Sequence, residues 1–252
     1  MISSKFLAGN HGNNVGTLIG VQVDSKMLNT TFSVSYGKAN IEHTNSAQSI
    51  THTSHNIMLR ATQTIELSQA INFLLGGAYF SSFGEVSRHN TFVQSRTNTS
   101  QDMSIIQIDS LLFKTFSMGE RIAFTPYAGL HHYVYSIEAF KENASNALQT
   151  HTNSFYALGV GIGIKGNYSL NGYNIFGKVH YEVMTMEENK NIKVLYGAQS
   201  LTYALPLYNT LNISLGGSFT MANNIFIDVG GFFVDYGINN TIGLNASLRK
   251  EF

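Results

Sequence analysis

The feature that most constrains this chain is a period-two alternation in which the polar face carries little charge. In residues 241–252, Ile242, Leu244, Ala246, Leu248 and Phe252 fall on one face, and Thr241, Gly243, Asn245, Ser247, Arg249 and Glu251 on the other. Residues 210–220 set Leu211, Ile213, Leu215 and Phe219 against Asn212, Ser214, Gly216 and Ser218. Residues 173–183 oppose Tyr173, Ile175, Val179, Tyr181 and Val183 to Asn174, Lys178, His180 and Glu182. Residues 155–165 oppose Tyr156, Leu158, Val160, Ile162 and Ile164 to Ala157, Gly159, Gly161, Gly163 and Lys165. A side-chain period of two is the signature of β-strand.

Alternation fits two architectures. In a soluble sandwich the apolar face is core; in a membrane barrel it meets lipid and the polar face lines the lumen. Charge separates them. Asp, Glu, Lys and Arg make up 12% of the chain, about half the usual share, and Ser, Thr and Asn fill the deficit. Exposed faces of soluble strands usually carry Lys and Glu to block edge pairing. Here the polar faces carry mostly Gly, Ser, Asn and Thr, which suit a narrow bore. The runs also exceed the ~5–6 residues usual in soluble sheets and reach the ~9–11 that a tilted membrane strand needs. The chain reads as all-β, an antiparallel transmembrane β-barrel.

The same composition excludes other classes. Lys plus Arg (15) balances Asp plus Glu (15), so no basic surplus exists to neutralise phosphates, and nucleic acid is not an expected partner. The absence of Cys removes disulfides and cysteine metal sites. Aromatic residues at 12% with zero net charge argue against disorder. The most apolar stretch, INFLLGGAYF at 71–80, falls far short of the ~20 residues of a spanning helix. No secretory signal follows Met1.

Turn signals place short connections at 24–28, 65–70, 116–120, 167–171 and 221–224, and longer ones at 40–52, 85–100, 138–152 and 185–208. Short periplasmic turns and long outer loops are the barrel pattern. With a periplasmic C-terminus, the strand-like stretch at 192–202 has to be a ribbon on an outer loop, because counting it as a spanning strand inverts every loop upstream. Eleven strands then run from 16–23 to the end, and a twelfth at 2–8 gives about 12, an even number. Residues 1–252 are expected to form one barrel domain.

The last strand carries the most specific motif. Terminal Phe252, preceded by Leu248, Ala246 and Leu244, resembles the C-terminal signature that the barrel-assembly machinery reads in bacterial outer-membrane proteins. GNNVGTLIGVQVDSKMLNTTFSVSY at 12–36, TPYAGL at 125–130 and the closing stretch at 211–252 resemble the translocator domain of autotransporters (type V secretion). Lys250 departs from that pattern, where an aromatic or apolar residue is usual; near a rim its stem can snorkel. The resemblance implies a barrel that anchors an N-terminal passenger and exports it to the cell surface without ATP. Outer-membrane lipid, the assembly machinery and the chain's own passenger or linker segment in the pore are then its partners. It further implies that this chain is the C-terminal piece of a longer protein, and a monomer. Asn13-Asn14 is similar to the Asn pair cleaved in some members but falls between two predicted strands, so an Asn-rich loop is the simpler account.

Charged residues on the polar faces are candidates to line the lumen: Arg60, Asp109, Lys165, Lys178, His180, Glu182, Asp228 and Arg249. They would pair across the bore or contact a threaded segment. No catalytic set is evident. His180 has Lys178 and Glu182 two residues away on the same face, which ion pairing in the lumen explains. His52 and His55 fall at a loop-to-strand boundary, and His131 and His132 point to opposite faces, so these read as solvated or rim histidines. No metal and no cofactor are expected. Gly159, Gly161 and Gly163 sit mid-strand with no helix following, so they cradle no phosphate; they leave room in the bore for packing or for an occupant. Tyr36, Tyr79, Tyr156, Tyr173 and Tyr181 belong to outward faces. The alternatives are a small outer-membrane porin or adhesin acting through its extracellular loops, and a barrel enzyme.

Deleting Phe252 is expected to lower the yield of membrane-assembled barrel in cells more than it alters the stability of barrel refolded in detergent. An unchanged assembled yield would count against this reading of the C-terminus.

Overall fold

The computed structural model describes residues 2–11, 14–25, 28–44, 48–69, 71–90, 95–142, 148–151, 153–188, 191–196, 199–204, 208–221, 225–237 and 240–250. Twelve long strands run in sequence: β1 (Ile2–His11), β2 (Asn14–Ser25), β3 (Thr30–Thr44), β4 (Gln48–Ser68), β5 (Ile71–Asn90), β6 (Ser95–Phe113), β8 (Ile122–Ile137), β10 (Asn153–Leu170), β11 (Tyr173–Glu188), β14 (Thr210–Thr220), β15 (Ile225–Asp235) and β16 (Asn240–Lys250). Four short ones complete the set: β7 (Phe116–Met118), β9 (Leu148–Thr150), β12 (Asn191–Tyr196) and β13 (Gln199–Ala204).

Each long strand pairs antiparallel with the next. The sheet closes because β8 pairs β10 and β16 pairs β1. The stretch expected at 2–8 is therefore a full strand, in register from Ile2↔Lys250 to Asn10↔Ile242. The ribbon expected at 192–202 is the β12–β13 hairpin, which joins β9 in a separate three-stranded sheet outside the barrel.

Parity then sorts the side chains. Ile19, Phe32, Leu112, Ile162, Leu215 and Leu244 are exposed on the outside. Buried Ser35, Ser54, Ser82, Asp109, His131 and Glu182 lie on the opposite face. Tyr36, Tyr79, Tyr156, Tyr173 and Tyr181 are all exposed. Along β10 the outward Tyr156 and Tyr168 bracket Val160, Ile162 and Ile164. Twelve residues separate the two tyrosines, about 40 Å along a strand or roughly 28 Å once tilted by ~45°. That matches the ~25 Å apolar band of an outer-membrane barrel.

Two rims differ. At one, β10 and β11 join through a two-residue tip with Gly172 at φ +77, a conformation glycine adopts without steric cost. At the other rim several segments expected as loops prove to be strand. The 40–52 and 85–100 connections narrow to 45–47 and 91–94, because β3, β4, β5 and β6 continue outward to lengths of 15, 21, 20 and 19 residues. The short turns at 65–70 and 167–171 are likewise shorter, since β4 runs to Ser68 and β10 to Leu170. These extensions are rich in Thr, Ser, Asn and His. Such residues satisfy a ladder but bury no alternating apolar face, so periodicity is silent there. Cross-strand bonds take over, such as Ser87 Oγ to Asn98 Oδ1 at 2.6 Å and Arg96 Nε to Ser87 Oγ at 3.0 Å. The 138–152 connection is tied down by Arg88, whose Nε donates to Glu142 Oε1 at 3.0 Å and Nη2 to Oε2 at 2.5 Å.

Ile162→Lys, on the outer face and 58% exposed, is expected to lower the unfolding free energy in bilayers by about 2–4 kcal/mol. Leu28→Lys, in the β2–β3 turn, is expected to cost about 0–1 kcal/mol. Urea titrations of the two variants in the same lipid measure the difference.

Candidate functional site

The inward faces of β4, β6, β8, β10 and β11 bring together side chains that are distant in sequence. They surround a cavity of about 560 Å³ inside the closed sheet. Arg60, Asp109, Lys165, Lys178, His180 and Glu182 all line it.

Asp109 is the hub of one half. Its side chain is 3% exposed. It accepts from Gln107 Nε2 at 2.6 Å and meets His131 Nδ1 at 2.7 Å and Arg60 Nη2 at 3.4 Å. Glu182 is the hub of the other half. The Tyr133 hydroxyl donates to both its oxygens, at 2.9 and 3.1 Å, and His180 Nε2 lies 3.7 Å from Oε2. Ring contacts join the halves: His131 meets His180 edge-on at 5.3 Å, and Tyr127 stacks on His180 at 5.7 Å.

Strand β10 is the floor beneath this cluster. Gly159 sits under Glu182, Gly161 under His131 and His180, and Gly163 under Tyr127. A Cβ on Gly161 would lie 2.6 Å from both His131 Nε2 and His180 Cε1. The space expected beneath these glycines is therefore filled by the side chains of β8 and β11 leaning over them.

Lys165 and Lys178 face each other directly in the β10–β11 register. Their amines lie over the Tyr127 ring at 5.6 and 6.0 Å, a cation–π arrangement. Among the described residues neither forms an ion pair. Arg60, with 48% of its side chain exposed, lines both this cavity and a second of about 310 Å³ beside Gln22, Ser33 and Ser35.

The other expected residues lie elsewhere. Asp228, on β15, accepts from Ser247 Oγ at 2.9 Å and does not line the cavity. Arg249 pairs in register with Ser3 and Phe226; its side chain lies outside the described residues. Leu244, Ala246 and Leu248 are exposed on β16, and Phe252 lies outside the described residues.

Two histidine readings change. His131 is 6% exposed, so it is a bore residue and not a solvated one; the inward parity of Tyr127, Tyr133 and Tyr135 on β8 was the available signal. His52 and His55 lie within β4 and not at a loop boundary. Three residues apart, they face opposite sides. His55 stacks between Tyr36 and Phe83 at 6.0 and 5.9 Å. His132 is exposed on the outward face.

Residues 3–231 match the autotransporter beta-domain family. The translocator domain of the autotransporter NalP from Neisseria meningitidis is similar in structure, with a TM-score of 0.73 at 14% identity, covering 100% of this chain and 87% of that one. The transport unit of the autotransporter AIDA-I from Escherichia coli gives 0.55 at 12% identity, covering 100% and 89%. The beta domain of the Bordetella autotransporter BrkA gives 0.54 at 8% identity, covering 100% and 98%. At these identities the likeness is one of fold. No curated protein matches the chain.

Gly161→Ala is expected to destabilise the barrel by about 1–3 kcal/mol through overpacking. Gly166→Ala, where an added Cβ meets nothing within 4 Å, is expected to stay within about 0.5 kcal/mol of the parent. The shift in urea midpoint at constant slope is the measurement.

Proposed function

The chain belongs to the autotransporter β-domain family, and from that premise we propose that its bore grips an anionic stretch of the passenger it carries. As a member of the family it is an outer-membrane β-barrel translocator that anchors and exports a passenger at the bacterial cell surface. Such translocator domains carry a passenger segment and are generally not enzymes. A small porin or a loop-acting adhesin is not better supported.

The observation that carries the proposal is the Lys165–Lys178 pair. Like charges directly opposite on neighbouring strands repel, and neither amine of this pair forms an ion pair among the described residues. A segment bearing Asp or Glu would remove that cost on entering the bore, with Arg60 as a third contact. Asp109 and Glu182 are occupied by their own partners, so the open positions at this level are cationic. A segment joined ahead of β1 would reach the bore from the rim where Ile2 pairs with Lys250.

The rest of the reading follows from the faces. The outward apolar residues contact outer-membrane lipid, and the end of β16 with Phe252 is offered to the barrel-assembly machinery. Residues 1–252 act as one monomeric barrel, a passive conduit and anchor with no catalysis of its own.

The test places the chain behind a signal peptide and a reporter passenger with an acidic linker. Protease accessibility on intact cells reads export, and heat-modifiable gel mobility reads assembly. Lys165→Gln with Lys178→Gln is expected to leave assembly intact and lower accessible passenger about tenfold to hundredfold, the scale of one lost charge-assisted contact. A passenger that stays inside while the parent barrel assembles would overturn the translocator role in this chain. An unaffected double variant would overturn the lysine grip alone.

A further inference from the structure

Among the described residues, Nε2 of His131 and Nδ1 of His180 are buried without a hydrogen-bond partner, as are the Tyr127 hydroxyl beside them and Nε2 of His52 farther along β4. His131 and His180 are 6% and 8% exposed. Buried polar atoms are almost always paired, and the orphaned His131 Nε2 faces the His180 ring, whose Nε2 side approaches Glu182.

The chemistry around them selects its kind. A carboxylate only accepts hydrogen bonds, so the Asp109 contact at 2.7 Å requires the hydrogen of His131 to sit on Nδ1. That leaves Nε2 with a bare lone pair in the neutral ring, above Gly161, where it meets the His180 ring. A histidine held at one nitrogen by a carboxylate and offering the other is the usual outer-shell arrangement of a metal ligand. Asp109 is itself held by Gln107 and Arg60. Glu182 is oriented in the same manner by the Tyr133 hydroxyl.

The spacing is close to what an ion needs. One donor atom from each of His131, His180 and Glu182 lies within 4.8 Å of the others, and His180 Nε2 stands 3.7 Å from Glu182 Oε2. Tetrahedral ligands at about 2.0–2.2 Å from an ion are roughly 3.3–3.5 Å apart, so small side-chain rotations over the glycine floor close the set.

We propose that His131, His180 and Glu182 form a binding site for a borderline divalent cation of the zinc type, with a fourth position open to the bore. Two imidazoles and one carboxylate suit Zn²⁺ and its neighbours, whereas Ca²⁺ and Mg²⁺ prefer all-oxygen shells of six or more. Because β8 and β11 flank β10 on either side, the ion links two strands across a third. Sequence reasoning passes over the set because its members come from two strands and only the register brings them together.

The test uses the full chain refolded in detergent, stripped with chelator, titrated with Zn²⁺ or Co²⁺ and desalted. Elemental analysis is expected to find one equivalent per chain, and Co²⁺ to give the visible bands of a tetrahedral site. His131→Asn and Glu182→Gln should each weaken binding at least tenfold. Asp109→Asn, which removes the outer-shell partner, should weaken it 10- to 100-fold. His132→Asn, on the outward face, should leave it unchanged. Heat-modifiable mobility certifies that each variant is folded, and Zn²⁺ should raise the temperature at which the folded band is lost, reversibly with chelator. Less than one equivalent on the parent, or retention unchanged in both ligand variants, would overturn the site and leave the orphan nitrogens to bound water.

Discussion

Closure of the backbone ladder is the constraint on which everything else in this molecule rests. Lipid offers no water to an unpaired N–H or C=O, so a sheet can cross a membrane only without edges. Pairing of β16 with β1 and of β8 with β10 supplies that condition. An antiparallel sheet closed by its first and last strands needs an even strand number and brings both chain ends to one rim. It also gives every residue a fixed side by parity alone. The low charge content is a consequence: half of each strand faces hydrocarbon, where charge is costly, and the charges that are kept concentrate in the bore and at the rims.

Within that closed wall the bore is shaped by side-chain volume. Three glycines alternate along β10, and large side chains from β8 and β11 lean across them. The device recurs where Gly216 lies under Phe176 and Gly20 under Ser35. Small residues on one strand thus allow rings and carboxylates from its neighbours to meet over it. Over Gly159 such a meeting produces the Glu182–Tyr133 pair, whereas Asp109 and His131 face each other directly in the β6–β8 register.

Much of this was legible in the sequence, and the parts that were not share a cause. The alternation of Ile242, Leu244, Ala246 and Leu248 reports a lipid boundary, so strand existence, face and count could be read from it. Thr51, Thr53, Thr97 and Thr99 sit on extended strands beyond that boundary, where neither face is apolar and the pattern carries no signal. The His131 cluster is hidden for another reason. Parity places His131, His180 and Glu182 inside, but only the register Gly159↔His131, Gly161↔Glu182 and Gly163↔His180 brings them within reach of one another. Stagger is a property of closure, which no single strand encodes. Adjacent pairs such as His131-His132 and His52–His55 drew the eye because they are near in sequence, and a strand turns such neighbours apart.

Stagger also orders the bore along its axis. On β11, Lys178, His180 and Glu182 follow one another from the short-turn rim outward, each about 6.6 Å along the strand from the last. Their β10 partners are Lys165, Gly163 and Gly161. A segment entering from the short-turn rim therefore meets the opposed lysines before the histidine and carboxylate level. Asp109 and Glu182 are engaged by His131, Arg60, Gln107 and Tyr133, and neither forms an ion pair with the lysines among the described residues. On the proposed lysine grip, this cationic level would hold acidic stretches and leave neutral ones free. A conduit with such a level would let most of a passenger slide and retain a stretch that carries carboxylates, so the same passive pore would also serve as an anchor.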